Sequence, residues 1–142
     1  AIRALAGAGV PVRVMVAPVI PVLTDPELER FLEAAAAAGA RAASWILLRL
    51  PHEVAPLFRD WLERHEPGRA AHVMARLREM RGGQDYDSEW GSRMRGQGLH
   101  AELLARRFRV AARRLGLDGD LPRLRRDLFA RPPQPGDQLS LF

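Results

Sequence analysis

The side chains able to do chemistry here are mainly arginines. Arg49 sits near the end of a strongly apolar run, Ser44 to Leu50, on the face of Trp45 and Leu47. At the carboxyl end of a buried strand, a guanidinium could hold a carboxylate or phosphate, or close a structural ion pair. Further along, Arg106, Arg109 and Arg113 recur at i, i+3 and i+7, opposite Phe108 and Leu115, with only Glu102 within a turn. Such a stripe could track a phosphate backbone, or be a solvated basic face. Tyr86 and Trp90 lie in the stretch before it, where they could stack on bases or be buried. Asp85 and Asp87 flank Tyr86; they could act as acid and base, or simply be solvated in a loop. His52, His65, His72 and His100 lack metal-ligand spacing, so no metal site is expected. Ser44 has no nucleophile-elbow setting, and no glycine pattern forms a phosphate loop.

Helices and strands must position these groups. Ala1 to Ala6 reads as the end of a helix, closed by Gly7 and Gly9. Val10 to Val19 is β-branched and apolar, with Val10, Val12, Val14 and Val16 on one face and Arg13, Met15 and Ala17 on the other. Pro18 and Pro21 end that strand. Thr24 and Glu27 have capping-box spacing and open a helix with the stripe Leu28, Phe31, Leu32, Ala35 and Ala36, up to Gly39. The second strand, Ser44 to Leu50, follows. A strand–helix–strand unit of this length pairs its strands in parallel, and the apolar strands predict burial on both faces. Two such strands make no core alone, so the unit reads as part of a larger α/β barrel or sheet.

The remainder reads as helical. His52 to Glu66 carries Val54, Leu57, Phe58, Trp61 and Leu62 as an apolar stripe, and Pro67-Gly68 breaks it. Arg69 to Arg81 turns Val73, Met74, Leu77 and Met80 inward and Arg69, Arg76 and Arg78 outward. Gly82 to Gly98 is irregular. Leu99 to Gly116 is a long helix using Leu99, Leu103, Leu104, Phe108, Ala111 and Leu115. From Leu117 the chain is rich in Pro and Arg and reads as extended or disordered, ending in Gln138-Leu139-Ser140-Leu141-Phe142. Two leucines and a phenylalanine on such a tail either enter a partner's pocket or fold back on their own domain. The expected organisation is residues 1–51 as the strand–helix–strand part, 52–116 as a helical extension and 117–142 as a tail.

Composition narrows the classes. The 142 residues are 47% hydrophobic and 27% charged, as in a soluble globular protein. There is no cysteine, which excludes disulfides, zinc thiolates and an iron–sulfur cluster held by this chain alone. No apolar run approaches the roughly 18–20 residues of a membrane span, and no signal peptide is visible. All 22 basic residues are arginine and the net charge is +5. Residues 1–68 carry net −1 and residues 69–142 net +6. A basic half on an otherwise neutral chain suggests an anionic partner, most often nucleic acid.

Two stretches resemble known families. The last five residues, Gln138 to Phe142, look like the bacterial sliding-clamp-binding motif, Gln-Leu-(Ser/Asp)-Leu-Phe, at every position. Ala17-Pro18-Val19-Ile20-Pro21-Val22-Leu23-Thr24-Asp25 resembles the fifth-strand region of radical S-adenosylmethionine (radical SAM) enzymes, often Pro-x-Ile-Pro-Gly-x-(Asn/Thr)-Asp. With Tyr86-Asp87-Ser88, Arg93-Met94 and Gly96 in order, the chain is similar to bacterial radical SAM proteins related to spore photoproduct lyase. Val22 stands where that pattern has glycine, so the turn is expected to differ. The Cys-x-x-x-Cys-x-x-Cys motif is absent.

The resemblance implies a C-terminal part: a partial (β/α) barrel with two parallel strands, then a helical extension and a flexible tail. It implies SAM and a [4Fe–4S] cluster for the full-length parent, with none held by this chain alone, which is expected to be inactive by itself. Pro18, Ile20 and Pro21 would line the adenine end of the SAM site and Arg49 would reach into the barrel. The expected activity is cytoplasmic DNA repair or nucleic-acid modification. The expected partners are nucleic acid through Arg106, Arg109 and Arg113, the sliding clamp through Gln138, Leu139, Ser140, Leu141 and Phe142, and the N-terminal half of the same protein. The alternative is a non-catalytic module docking to DNA and the clamp.

Overall fold

A computed structural model describes residues 1–123, 127–132 and 134. The clamp-like residues Gln138, Leu139, Ser140, Leu141 and Phe142 lie outside these. The elements are α1 (Ile2–Gly7), β1 (Arg13–Val19), α2 (Leu28–Ala37), β2 (Ala42–Leu47), α3 (Val54–His65), α4 (Pro67–Glu79), α5 (Ser92–Arg95) and α6 (Gly98–Arg114). A 3-10 turn, Asp25–Glu27, leads into α2. The fold is mixed α/β, with an open two-stranded sheet in which β1 and β2 run parallel. No closed barrel forms among the described residues.

Both strands are shorter than their apolar runs. Pairing begins at Arg13↔Ala42 and is irregular between Val16 and Val19. Val10 therefore lies outside the strand, and Arg49 lies beyond the end of β2. Burial on both faces also fails for β1. Val16 packs with Ala43, Trp45 and Leu47 against the helices. On the other face Arg13, Met15 and Ala17 are exposed, Met15 by 55%. The reason is that one neighbour strand and one helical layer cover only one side of β1. Phe31, expected in the buried stripe of α2, is 50% exposed over the same open edge.

The capping box does not form. Thr24 makes no side-chain bond to the start of the helix. Its Oγ1 instead accepts the Ile20 N–H at 2.8 Å, closing the turn after β1, while Glu27 pairs with Arg30 at 2.5 Å. Proline does not break the chain after α3 so much as start α4, as its first residue. In α3 the buried residues are Ala55 and Leu62, whereas Val54, Leu57 and Trp61 are exposed. Only one narrow line of α3 meets α4, so the rest of its apolar stripe stays outside. Leu99 and Leu103 are likewise exposed at the start of α6.

One apolar cluster joins the strands to the helices, from Val19 and Leu28 through Leu47 and Leu50 to Leu77, Leu104 and Leu117. Leu117 was expected to start a loose tail, but it is buried, and its carbonyl accepts the Ala43 N–H at 2.8 Å. The adjoining Asp118 forms an isolated antiparallel bridge with Ala42. The stretch 82–98, expected to be irregular, contains the short α5 and folds back on the sheet. Gln97 N–H donates to the Met80 carbonyl at 3.0 Å.

Gly96 makes that return possible. Its φ is +75°, and a Cβ there would lie 2.8 Å from Leu47 Cδ2 and 2.9 Å from the Met80 carbonyl oxygen. Gly96→Ala is expected to lower stability by about 2–4 kcal/mol, from the left-handed backbone and overpacking together. Gly68→Ala, in the first turn of α4 with open space around it, should be neutral or stabilise by up to about 1 kcal/mol. Urea denaturation of the two variants checks this; equal midpoints would contradict the packing described.

Candidate functional site

The carboxyl ends of the two strands meet where the Leu48 N–H donates to the Val19 carbonyl at 2.9 Å. There Pro18 is exposed, Ile20 half-buried and Pro21 buried, and the Ala17-Pro18 bond is cis. The Ile20 carbonyl collects the N–H groups of Leu23, Thr24 and Asp25 at 3.2, 2.9 and 3.2 Å. This tight winding puts Val22 at φ +72°. A β-branched residue is rarely found there, at a cost of about 1–3 kcal/mol. The turn thus takes a glycine-favoured backbone while carrying valine.

Arg49 lies on the same edge. It forms no ion pair among the described residues. Its guanidinium NH2 donates to the Tyr86 hydroxyl oxygen at 2.9 Å, with the guanidinium carbon 5.7 Å from the ring centroid. Its Nε is sealed from solvent and has no partner. Sequence reasoning missed its neighbour Arg81, which is only 2% exposed. Arg81 donates to the carbonyls of Leu48, Ser92 and Arg93 at 2.8, 3.2 and 2.8 Å. Burial lowers its pKa, opposed by the Asp87 charge and aided by Arg49. Nothing local distinguishes it in the sequence: it simply follows the inward-facing Met80.

The carboxylates beside Tyr86 act as struts rather than as an exposed acid–base pair. Asp85 binds Arg59 and Arg78. Asp87 accepts from the Ser92 hydroxyl and from the Glu89 N–H, which together hold its carboxyl below the usual range. Trp90 is not buried. It is 84% exposed, with the Arg93 guanidinium 4.0 Å over its ring.

Next to the strand ends is a cleft of about 490 Å³, lined by Pro21, Asp25, His72, Arg76, His100 and Arg107, among others. Its charges are largely internally paired. Arg76 binds Glu79 at 2.5 Å and contacts His100, and Arg107 binds Glu29.

Helix α6 sorts its arginines by face. Arg107 donates to the two Glu29 carboxylate oxygens at 2.9 and 2.7 Å and to the Asp25 carbonyl at 2.8 Å. Arg114 reaches Glu33 at 2.6 Å. These bonds pin α6 to α2. Arg106, Arg109 and Arg113 point outward and are exposed. Among the described residues Arg106 and Arg109 have no carboxylate partner, and Arg113 has only Asp118, at 3.7 Å. The three line a shallow groove of about 420 Å³ with Val110 and Arg114. Arg95, which sequence reasoning did not single out, lies 4.7 Å over the Trp45 ring and shares a hollow with Arg109 and Phe108. Burial lowers its pKa.

The chain matches no protein-family model, no curated protein and no solved structure. Among the described residues no group of three or more histidines and carboxylates gathers as metal ligands would. None of the described helices is long and apolar enough to cross a membrane.

The α2–α6 clamp has a pH signature. The hydrogen bonds from Arg107 hold the Glu29 pKa below its ordinary 4.5. The unfolded chain then binds the extra proton first, so this stabilisation is present above about pH 4.5 and fades as pH falls through the folded-state value. With both side chains more than a third exposed, Glu29→Gln is expected to cost only about 0.5–1 kcal/mol at pH 7. The difference from wild type should shrink steadily as the pH is lowered below 4.5. A difference independent of pH, followed by urea unfolding, would mean that the ion pair contributes nothing.

Proposed function

We propose that the chain is the C-terminal portion of a radical SAM iron–sulfur enzyme of the spore photoproduct lyase type, acting in the cytoplasm in DNA repair or nucleic-acid modification. The observation that carries the reading is the turn after β1. At Val22, where the resembled pattern has glycine, the backbone has the left-handed φ of +72° that glycine favours. A parallel strand–helix–strand unit with an open edge agrees with one wall of a (β/α) barrel. Pro18, Ile20 and Pro21 would form one wall of the SAM site, and Arg49 would reach into the barrel.

The residues present do not fit a [4Fe–4S] cluster, since the chain has no cysteine thiolate. The cluster and most of the SAM contacts would come from the N-terminal half of the same protein, and no step is derived through them. The test is to read the coding frame upstream of Ala1 and express its whole product. A Cys-x-x-x-Cys-x-x-Cys motif, an iron–sulfur chromophore and reductive cleavage of SAM are expected. A frame without the cysteines would sink the enzyme reading.

A second reading, a non-catalytic module docking to DNA and the sliding clamp, is favoured by the uncompensated face of α6. In both readings Arg106, Arg109 and Arg113 contact phosphates, and Gln138 to Phe142 dock to the clamp. Replacing Arg106 and Arg109 by Gln should reduce the slope of log affinity for DNA against log salt by about 2, roughly one per lost phosphate contact. Arg30→Gln, on α2 and paired with Glu27, should leave the slope unchanged. Fluorescence anisotropy at several salt concentrations reads both, and an unaltered slope in the double variant would move the interface elsewhere.

A further inference from the structure

The segment after α4 folds back over the carboxyl end of β2 and brings four guanidiniums, Arg49, Arg59, Arg78 and Arg81, near two carboxylates, Asp85 and Asp87. The pairing is incomplete. Asp85 is taken by Arg59 and Arg78. Asp87 is bonded to the Ser92 hydroxyl and the Glu89 N–H. Arg49 and Arg81 are left without a carboxylate contact among the described residues. They are neighbours: Arg81 is bonded to the carbonyl of Leu48, the residue before Arg49, and its charge is disfavoured by burial, favoured by the Asp87 carboxylate and disfavoured by Arg49.

The unused hydrogen-bonding capacity here is all of one kind. The Nε–H groups of Arg49 and Arg81 are sealed from solvent and unpartnered. The Tyr86 hydroxyl oxygen accepts from Arg49, and its own O–H has no acceptor among the described residues. Two buried Nε–H donors lack acceptors, the Tyr86 O–H has none among the described residues, and the two positive charges face only the Asp87 carboxylate, which favours the charge of Arg81 without touching it. That demand is met by an acceptor-only, negatively charged group and by no cation. The location also fits, since ligands of open parallel sheets bind outside the carboxyl ends of the strands.

We propose that Arg49, Arg81 and Tyr86 form a binding site for an oxyanion, the carboxylate or phosphate group of a ligand, at the carboxyl edge of the sheet. Arg49 and Tyr86 contact the anion directly. Arg81, whose terminal nitrogens are occupied by carbonyls, supplies its Nε–H and the second charge. The site rests on the geometry of this chain and not on the radical SAM reading, so the chain should bind anions even where the parent proves to be no enzyme.

The test follows arginine Nε–H resonances of the 142-residue chain by NMR. Inorganic phosphate and acetate are titrated separately at constant ionic strength. The Arg49 and Arg81 signals should shift saturably, with a midpoint of roughly 1–10 mM, as expected for a few charge-assisted hydrogen bonds. A response to phosphate alone assigns the site to a phosphoryl group, and an equal or stronger response to acetate assigns it to a carboxylate. Arg49→Lys, which keeps the charge but loses Nε, should weaken binding about tenfold, a 1.4 kcal/mol effect. Tyr86→Phe, which keeps the ring, should weaken it several-fold and decides the matter if Arg49→Lys fails to fold. Arg30→Gln, on α2 and paired with Glu27, should bind as wild type. No saturable shift with either anion, or binding unchanged in both Arg49→Lys and Tyr86→Phe, would overturn the proposal.

Discussion

The guanidinium of Arg81 is the constraint on which the arrangement of the helices around the sheet depends. It is the one charged side chain in the interior among the described residues, and it bonds carbonyls on two separate parts of the chain. Leu48 lies just past β2, and Ser92 and Arg93 belong to α5. A buried charge is tolerated only when hydrogen bonds replace its hydration. Here they also solve a second problem. Backbone carbonyls also need donors where the strand ends and the short helix begins: those of Leu48 and Arg93 take Arg81, and that of Ser92 takes both Arg81 and the Gly96 N–H. Satisfying both at once fixes the return of the segment after α4 onto the sheet, and Gly96 gives it the room to pass Leu47 and Met80. The position of Tyr86 against Arg49 follows from that return.

Charge on α6 obeys a similar economy. Its arginines fall on two faces, and only one of them meets acidic residues. Arg107 and Arg114 cross to Glu29 and Glu33, two residues one turn apart on α2. Arg106 and Arg109 pair with no carboxylate among the described residues, Glu102 one turn before Arg106 included. The basic outer face is therefore a residue of the packing as well as the basis for the nucleic-acid proposal. The two uses do not compete, because different residues serve them.

Much of this was legible in the sequence. The order helix, strand, helix, strand, then helices came from periodicity, and the arginine stripe from spacing. What could not be read were partners distant along the chain. The cap at Thr24 went to Ile20 instead of to the helix, because the turn after β1 winds tightly enough to offer it a nearer N–H. The apolar stripe of α3 is legible in the sequence, but which of its residues are buried, Ala55 and Leu62, is not. Spacing sets Arg107 apart from the stripe of Arg106, Arg109 and Arg113, but its partner Glu29 lies on α2, 78 residues away along the chain. Arg81 is only the last residue of a helix in the sequence, and the folded segment from Gly82 to Gly98 shows that it is interior.

The open side of the sheet bears on the proposed function. Met15 and Phe31 flank a hollow of about 370 Å³ along β1 that also involves Ile2 and Val14. Its apolar lining and the unpaired outer edge of β1 make it costly to leave in water and prone to pairing with other strands. On the opposite side, β2 is closed by Leu117 and Asp118. The sheet is thus finished on one edge and unfinished on the other. α1 and α2 both lie beside the unfinished edge, since Ile2 of one and Phe31 of the other line the same hollow. A parallel strand added there and joined through α1 would repeat the β1–α2–β2 connection, which is the growth rule of a (β/α) barrel. A self-contained docking module has no use for such an edge, whereas one wall of a larger barrel requires it. The open edge is thus the feature that the enzyme-portion proposal requires, and the uncompensated face of α6 the one on which the docking proposal rests.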